Sequence, residues 1–284
     1  MEVLHPRSLG EALDALTRHP GAELLAGGTD LMVEINFGRR RPETIVLIQR
    51  LPELQGLDRD GKVHARAGVT YTQLLNEPGA SFQALREMSR TVGSPQIRNA
   101  GTLGGNLGTS SPAGDSLPVL AAFDARVILR SRRAERRVPF GEYMTGPKRN
   151  AKAPDEIVIG AEWDDAGPAQ TFLKVGTRNA MVIAVASLCL VVDRMRKTVR
   201  VALGSCGPTI LRARDAEVFG QDLIDESGWD EPLEASDAAL SRFGELVAAA
   251  SRPIDDVRGS ARYRRHVLGV MGRRALQRVG GIVA

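Results

Sequence analysis

Two short segments carry residue types that could hold a diphosphate. In Ala26-Gly27-Gly28-Thr29-Asp30, two glycines stand where an apolar strand, Glu23 to Ala26, turns into a helix beginning at Thr29 to Leu31. Glycine lets backbone approach a ligand closely, and the N–H groups at a helix start favour negative charge. Thr29 adds a hydroxyl. Asp30 would repel phosphate, so it is expected to cap the helix or to meet a ribose or water. Thr102-Leu103-Gly104-Gly105-Asn106 repeats the arrangement further along the chain, and two such turns could clamp one pyrophosphate from both sides. Each taken singly is also an ordinary turn. Asn106 offers donors and an acceptor to a phosphate or a polyol chain, and Asp115 could accept from hydroxyls or cap a helix at Ser116. No G-x-G-x-x-G occurs, which argues against the dinucleotide fold that binds its ligand within one βαβ unit.

The elements that must position these turns can be read from pattern. Ser8 and Glu11 bracket the start of an amphipathic helix with Leu9, Ala12, Leu13 and Leu16 on one face, and Pro20-Gly21 stops it. Strands are expected at Thr44 to Ile48 and Val63 to Ala67, and Thr70 to Gln73 caps the next helix. Ser81 to Arg90 reads as helix. From Thr91 to Leu120 neither period is visible, and so long an irregular stretch implies a partner to wrap. A short helix follows at Pro118 to Phe123, then strands at Arg126 to Arg130, Arg137 to Phe140 and near Ile157 and Phe172. Two apolar strands, Ile183 to Val192 and Val199 to Leu203, precede helices near Arg214, at Ala238 to Ala250 and at Ser260 to Val279. The change of composition places a domain boundary near residues 170–178.

Composition narrows the function classes. A chain of 284 residues with 43% hydrophobic and 25% charged residues builds one large or two ordinary globular domains. The apolar run Met181 to Val192 is too short to cross a bilayer. The start MEVLHPRSLGEAL lacks a basic stretch followed by an apolar one, so no Sec signal and a cytoplasmic protein are expected. Two cysteines, Cys189 and Cys206, cannot ligate an iron-sulfur cluster alone, and the four histidines show no i,i+4 pairing, so no metal site is expected. Arginines cluster at Arg39–Arg41, Arg130–Arg137 and Arg258–Arg278. Only 4% of residues are aromatic, too few for the stacking of a nucleic-acid reader, so none is expected as a partner.

Four phrases in order carry a resemblance over nearly the whole chain: LLAGGTDLM (Leu24 to Met32), QIRNAGTLGGNLGTSSPAGD (Gln96 to Asp115), FLKVGTRNAMVIA (Phe172 to Ala184) and PIDDVRGSARYRRHVLGVM (Pro253 to Met271). They resemble the FAD-binding medium subunit of molybdenum hydroxylases, the family of xanthine dehydrogenase, carbon monoxide dehydrogenase and 4-hydroxybenzoyl-CoA reductase. The resemblance implies an α+β fold. Residues 1–174 would form a two-subdomain FAD-binding domain of the p-cresol methylhydroxylase and vanillyl-alcohol oxidase type. Residues 175–284 would form a small C-terminal α+β domain with a three-stranded antiparallel sheet.

Carried over by position, the resemblance implies a first FAD loop of Leu24, Leu25, Ala26, Gly27, Gly28, Thr29, Asp30 and Leu31. The second would be Ala100, Gly101, Thr102, Leu103, Gly104, Gly105 and Asn106, with the pyrophosphate between Gly27-Gly28 and Gly104-Gly105. Asp115 would bind ribityl or ribose hydroxyls, and Val158 would meet the isoalloxazine edge. Lys174 would approach the pyrimidine end of the ring and, as a fixed cation there, raise the reduction potential. Its bland reading is a snorkelling surface lysine. Val92 stands where relatives of the xanthine dehydrogenase type often carry an aromatic, and it cannot stack on the flavin.

Carbon monoxide dehydrogenase subunits resemble AGGHS and HPAND where this chain has AGGTD and SPAGD, and the cysteine-bearing insertion of 4-hydroxybenzoyl-CoA reductase subunits is missing. The lean is toward the xanthine dehydrogenase or aromatic-substrate branch. The implied function is an electron-transfer flavoprotein subunit. A small subunit with two 2Fe-2S clusters would deliver electrons singly, a large subunit would hold the molybdenum cofactor, and NAD+, quinone or dioxygen would be the acceptor. The implied assembly is a heterotrimer, often doubled. Arg258, Arg262, Arg264, Arg265, Arg273 and Arg274 are expected partly to face an acidic partner and partly to pair with Asp255 or Asp256, with Val267, Leu268, Val270, Met271 and Leu276 docking inward. The alternatives are a carbon monoxide dehydrogenase-like medium subunit and a stand-alone flavin oxidase of the same fold, and against the latter the chain lacks the aromatic and histidine residues that would line its own substrate pocket.

Overall fold

A computed structural model describes residues 1–281. By internal contacts the chain forms two compact units, each assembled from three pieces. The first comprises Met1–Gln73, Ser94–Ser110 and Asp124–Asp164, the second Leu74–Gly93, Ser111–Phe123 and Asp165–Ala284.

The first unit holds two sheets. Strands Glu2–Leu4, Glu23–Leu25 and Thr44–Leu47 form a parallel sheet with Thr44–Leu47 in the middle. Helix Leu9–Arg18 connects the first two strands and buries Ala12, Leu13, Ala15 and Leu16. Ser8 caps it by accepting from the Glu11 N–H, as the sequence suggests, while the Glu11 carboxylate accepts from the Arg7 N–H. The second sheet is antiparallel, in the order Leu57–Asp60, Lys62–Arg66, Ile157–Asp164, Arg126–Arg130 and Glu135–Pro139. Its Gly160 is required by packing, because a Cβ there would lie 2.5 Å from the Ala65 carbonyl oxygen.

The stretch 91–120 is not irregular. It contains helices Pro95–Ala100, Leu103–Thr109 and Ser116–Ala122, each only six or seven residues long. Local capping carries the first two: the hydroxyls of Ser94 and Thr102 accept from the Ile97 and Gly105 N–H groups, and Pro95 fills the first helical position. Fewer than two turns cannot display a 3.6-residue period, which is why the pattern is invisible.

In the second unit, strands Gln170–Val175, Ala186–Asp193 and Thr198–Gly204 form the three-stranded antiparallel sheet implied by the resemblance, extended by the two-residue strand Leu211–Arg212. Every residue of Ala186–Asp193 is buried. Helix Ala261–Gly280 packs on this strand, and Leu188, Leu190 and Val192 share a core with Phe243, Leu268 and Met271. Helix Ser116–Ala122 also packs against it. Coverage on both faces explains the continuous apolar run. Among the described residues no helix is long and apolar enough to cross a membrane.

The arginine helix departs from expectation at two positions, Arg264 and Val270. Arg264 is buried, and its guanidinium donates to the carbonyls of Val185 (2.6 Å) and Ser205 (2.8 Å) and to Asp256 (2.5 Å). It is a structural staple rather than a partner-facing charge. Arg258 also pairs with Asp256, while Arg262 and Arg265 are exposed. Val267, Leu268, Met271 and Leu276 point inward, but Val270 is exposed.

Candidate functional site

The site residues read from sequence divide between the units. Leu24 to Leu31, Ala100 to Asn106 and Val158 belong to the first, and Val92, Asp115 and Lys174 to the second.

Strand Glu23–Leu25 ends in the first glycine loop, and Leu31 opens the six-residue helix Leu31–Asn36. Gly28 has φ +71°, a conformation that glycine takes freely. Gly27 lies so close to the preceding element of the second loop that a Cβ would fall 1.7 Å from the Ala100 carbonyl oxygen. The backbone N–H groups of residues 26–31 have no acceptor among the described residues. Six successive donors in a partly exposed glycine loop form a ready site for phosphate oxygens. Asp30 sits at the cap position but makes no capping bond. Its carboxylate accepts from the Thr109 hydroxyl at 3.3 Å and lies 3.7 Å from Lys148 Nζ.

The second glycine loop is built differently. The Leu103 N–H donates to Val69 O (2.9 Å), Gly104 to Ala67 O (2.8 Å), Gly105 to Thr102 Oγ1 (2.9 Å) and Asn106 to Thr102 O (3.1 Å). The Asn106 bond is the helix's own first i→i−4 bond, and the donors of its first three residues, which a helix start normally leaves open, are engaged by Val69, Ala67 and the Thr102 side chain. Gly104 is demanded by packing, since a Cβ would sit 2.4 Å from Ala67 Cβ. Gly105 would meet only Thr102 Oγ1, at 3.0 Å, so the rest of its Cα face is open. This loop can offer close approach and the Asn106 side chain to a ligand, but not the row of N–H groups expected from its sequence. Val158 is buried in strand Ile157–Asp164, paired with Leu129 just before a register shift.

In the second unit, Lys174 and Asp115 form a buried ion pair. Lys174 Nζ donates to Asp115 Oδ2 (2.6 Å) and to the Thr91 carbonyl (3.1 Å), and the two side chains are 5% and 9% exposed. Lys174 is no snorkelling surface lysine. Asp115 occupies the cap position of Ser116–Ala122 yet makes no capping bond, and its Oδ1 is buried without a partner. Burial pushes this carboxyl up to about 6, with Lys174 pulling the other way. An unpartnered buried acceptor fits a hydroxyl-bearing ligand. Val92 ends helix Gln83–Thr91 and is half-buried.

Sequence reasoning missed the groups that tie the first unit's loops together: Thr109, Ser110, Lys148 and Asn150. The one sequence signal was the Gly146-Pro147-Lys148-Arg149-Asn150 turn. Among the described residues no group of three or more His, Cys, Asp or Glu could hold a metal ion. Cys189 and Cys206 are buried free thiols whose pKa values are raised by burial.

Comparison with known proteins matches residues 1–162 to the FAD binding domain in molybdopterin dehydrogenase and residues 171–279 to the CO dehydrogenase flavoprotein C-terminal domain. The nicotinate dehydrogenase FAD-subunit of Eubacterium barkeri is 37% identical over 65% of this chain and 66% of its own length. The xanthine dehydrogenase FAD-binding subunit of Escherichia coli O157:H7 is 29% identical, covering 95% of this chain and 92% of that one. The carbon monoxide dehydrogenase medium chain of Hydrogenophaga pseudoflava is 31% identical over 95% and 94%. A solved structure of carbon monoxide dehydrogenase from the same organism superposes with a TM-score of 0.87 at 26% identity, covering 100% of this chain and 98% of that one. The paired glycine loops and the four-stranded C-terminal sheet thus sit within a known framework, and the chain belongs to the family of FAD-binding flavoprotein subunits of molybdopterin dehydrogenases.

Proposed function

We propose that this chain holds one FAD noncovalently and serves as the electron-transfer subunit of a molybdenum hydroxylase, between a small 2Fe-2S subunit and an external acceptor, with the molybdenum cofactor on a large subunit. The observation that carries the reading is the row of six backbone N–H groups in residues 26–31 without acceptors among the described residues. These donors suit the diphosphate of FAD, and the open Cα face of Gly105 suits its close approach. FAD supplies the capacity to exchange electrons singly or in pairs. For this chain's residues the work is binding and positioning.

Asp115 and Lys174 keep, as part of this proposal, the roles implied by the resemblance: Asp115 Oδ1 for a flavin hydroxyl, Lys174 for the pyrimidine end of the ring. The pairing changes what Lys174→Met should do. Without the lysine, Asp115 loses the cation that opposes its burial and takes up a proton, so the local net charge changes little. The reduction potential is then expected to fall less than removal of an uncompensated cation would cause. For the branch, relatives named for nicotinate, xanthine and carbon monoxide stand at similar identity, so they add no weight to the lean toward an aromatic substrate.

The test is reconstitution of the purified chain with FAD, FMN and riboflavin, followed by equilibrium dialysis. One FAD per chain is expected, released into the supernatant by acid precipitation, with FMN and riboflavin far weaker because they lack the diphosphate. Equal affinity for FAD and FMN would refute the diphosphate cradle.

A further inference from the structure

An acidic pair beside an anion-binding loop needs compensation, and the first unit contains a device that provides it. Asp30 belongs to the 26–31 loop and Glu34 lies one turn on in helix Leu31–Asn36. Their two negative charges would oppose a diphosphate at the same loop. Lys148 answers both: its Nζ is hydrogen-bonded to Glu34 Oε1 and lies 3.7 Å from Asp30 Oδ2. Arg40 adds a second cation on Glu34, at 2.6 Å. The contact with Lys148 holds the Glu34 carboxyl below its ordinary value.

The lysine is placed there by backbone. Strands Met144–Gly146 and Arg149–Asn150 form a hairpin, and Lys148 in its turn has φ +54°, a conformation that residues with a Cβ seldom adopt. What holds it is the far end of the second loop's helix. The Lys148 N–H donates to Ser110 O (3.1 Å), and Asn150 Nδ2 donates to Gly108 O (3.1 Å) and Ser110 Oγ (3.0 Å). Ser110 is itself left-handed, at φ +48°. The hairpin thus grips the C-terminal end of Leu103–Thr109 through the Lys148 N–H and the Asn150 side chain, and Asp30 and Glu34 of the first loop and its helix through the Lys148 ammonium. The Thr109–Asp30 bond closes the circuit.

We infer that the 144–150 hairpin is a clasp and Lys148 a positioning residue that fixes the first glycine loop against the second and neutralises Asp30 and Glu34 so that a diphosphate can bind between the loops. The inference rests on the FAD-binding reading above.

The experiment measures affinity for FAD and for ADP, which carries the diphosphate without the flavin, on the purified chain. Lys148→Met should weaken both by about tenfold, the size expected when one cation leaves a partly screened site for an anion. Lys148→Arg should recover most of the loss. The double variant Glu34→Gln/Lys148→Met should do the same, because it restores the charge balance without the lysine. Asp30→Asn alone should tighten ADP, and this arm does not depend on Lys148→Met folding. Lys148→Met binding FAD like the wild type, or Asp30→Asn weakening ADP, would overturn the clasp while leaving the FAD reading intact. A wild-type chain that takes up no FAD would instead bring down that reading and the clasp with it.

Discussion

The two glycine loops of the first unit share a sequence grammar and differ in what their backbones do. At residues 26–31 the N–H groups face no acceptor among the described residues, whereas at 103–106 every one is engaged by Val69, Ala67 or Thr102. The first loop is a donor surface; the second is a strut. The cause is their anchorage. The first follows an edge strand of a small parallel sheet and opens a six-residue helix, and no carbonyl among the described residues accepts from its donors. The second is laid against the antiparallel sheet, and the residues after strand Lys62–Arg66 supply the carbonyls that its donors need. Glycine at a strand-to-helix turn therefore signals close approach of protein in both loops, at Gly27 and at Gly104, and only the first loop keeps a row of N–H groups without protein acceptors among the described residues.

The largest effect is expected where protein backbone is the neighbour. A Cβ at residue 27 would lie 1.7 Å from Ala100 O, and one at residue 104 would lie 2.4 Å from Ala67 Cβ. Gly27→Ala and Gly104→Ala should each cost about 3 kcal/mol or more in stability, because neither neighbour is a flexible side-chain end. Thermal unfolding of the apo-protein checks this. An unchanged melting temperature in either variant would mean that the loops are not packed as described. Gly105→Ala should behave differently. Its Cβ meets only Thr102 Oγ1, at 3.0 Å, and alanine favours a helix, so stability should stay within about 1 kcal/mol of wild type. FAD affinity should nevertheless drop by at least about tenfold, since the open Cα face is where a phosphate can approach. Stability lost with affinity retained would exchange the roles assigned to Gly104 and Gly105.

A pH measurement sets these loops against the buried pair of the second unit. Asp115 has its carboxyl raised from 3.8 to about 6. A carboxyl raised on folding binds more protons folded than unfolded between those values, so its contribution to stability is present below about pH 4 and is lost as pH rises through 6. That is opposite in sign to Glu34 and Glu156, whose carboxyls are lowered, chiefly by hydrogen bonds from Lys148 and Arg136 respectively. Replacing Asp115 by Asn should remove a downward slope of stability between pH 4 and 6, so that the variant gains on the wild type across that window. A constant difference between the two proteins across that range would mean that the carboxyl is not raised.

Much of this was legible in sequence, and the failures have physical causes. The glycine turns, the amphipathic first helix and the long C-terminal strands follow from residue type and period. Helices Pro95–Ala100 and Leu103–Thr109 do not, being too short to show a period and defined by caps instead, while Ser116–Ala122, which has no capping bond, is expected from sequence only from Pro118 onward. The Lys174–Asp115 pair and the Lys148–Glu34 pair join residues 59 and 114 positions apart, and no local pattern encodes them. Arg264 looked like one of six surface arginines because burial of a guanidinium depends on the carbonyls of Val185 and Ser205, which its own helix does not contain. The resemblance supplied Lys174 and Asp115 as site residues; it did not supply their pairing.

The smallest effect separates the two threonines, and it tests the comparison most directly. Thr102 accepts from the Gly105 N–H and so caps the second loop's helix, whereas Thr29 has no hydrogen-bond partner among the described residues. Thr102→Ala should lower stability by about 1 kcal/mol, the usual cost of losing a helix cap, which in a chain of this size is a melting shift of about 2–4 °C. It also releases the Gly105 donor, so FAD affinity should fall less than the stability loss suggests. Thr29→Ala should leave the apo-protein's melting temperature unchanged and show only in FAD affinity, by the few-fold expected for one hydroxyl donor to a phosphate. If both variants lost the same stability and the same affinity, the two loops would be equivalent after all, and the division into a donor surface and a strut would have to be abandoned.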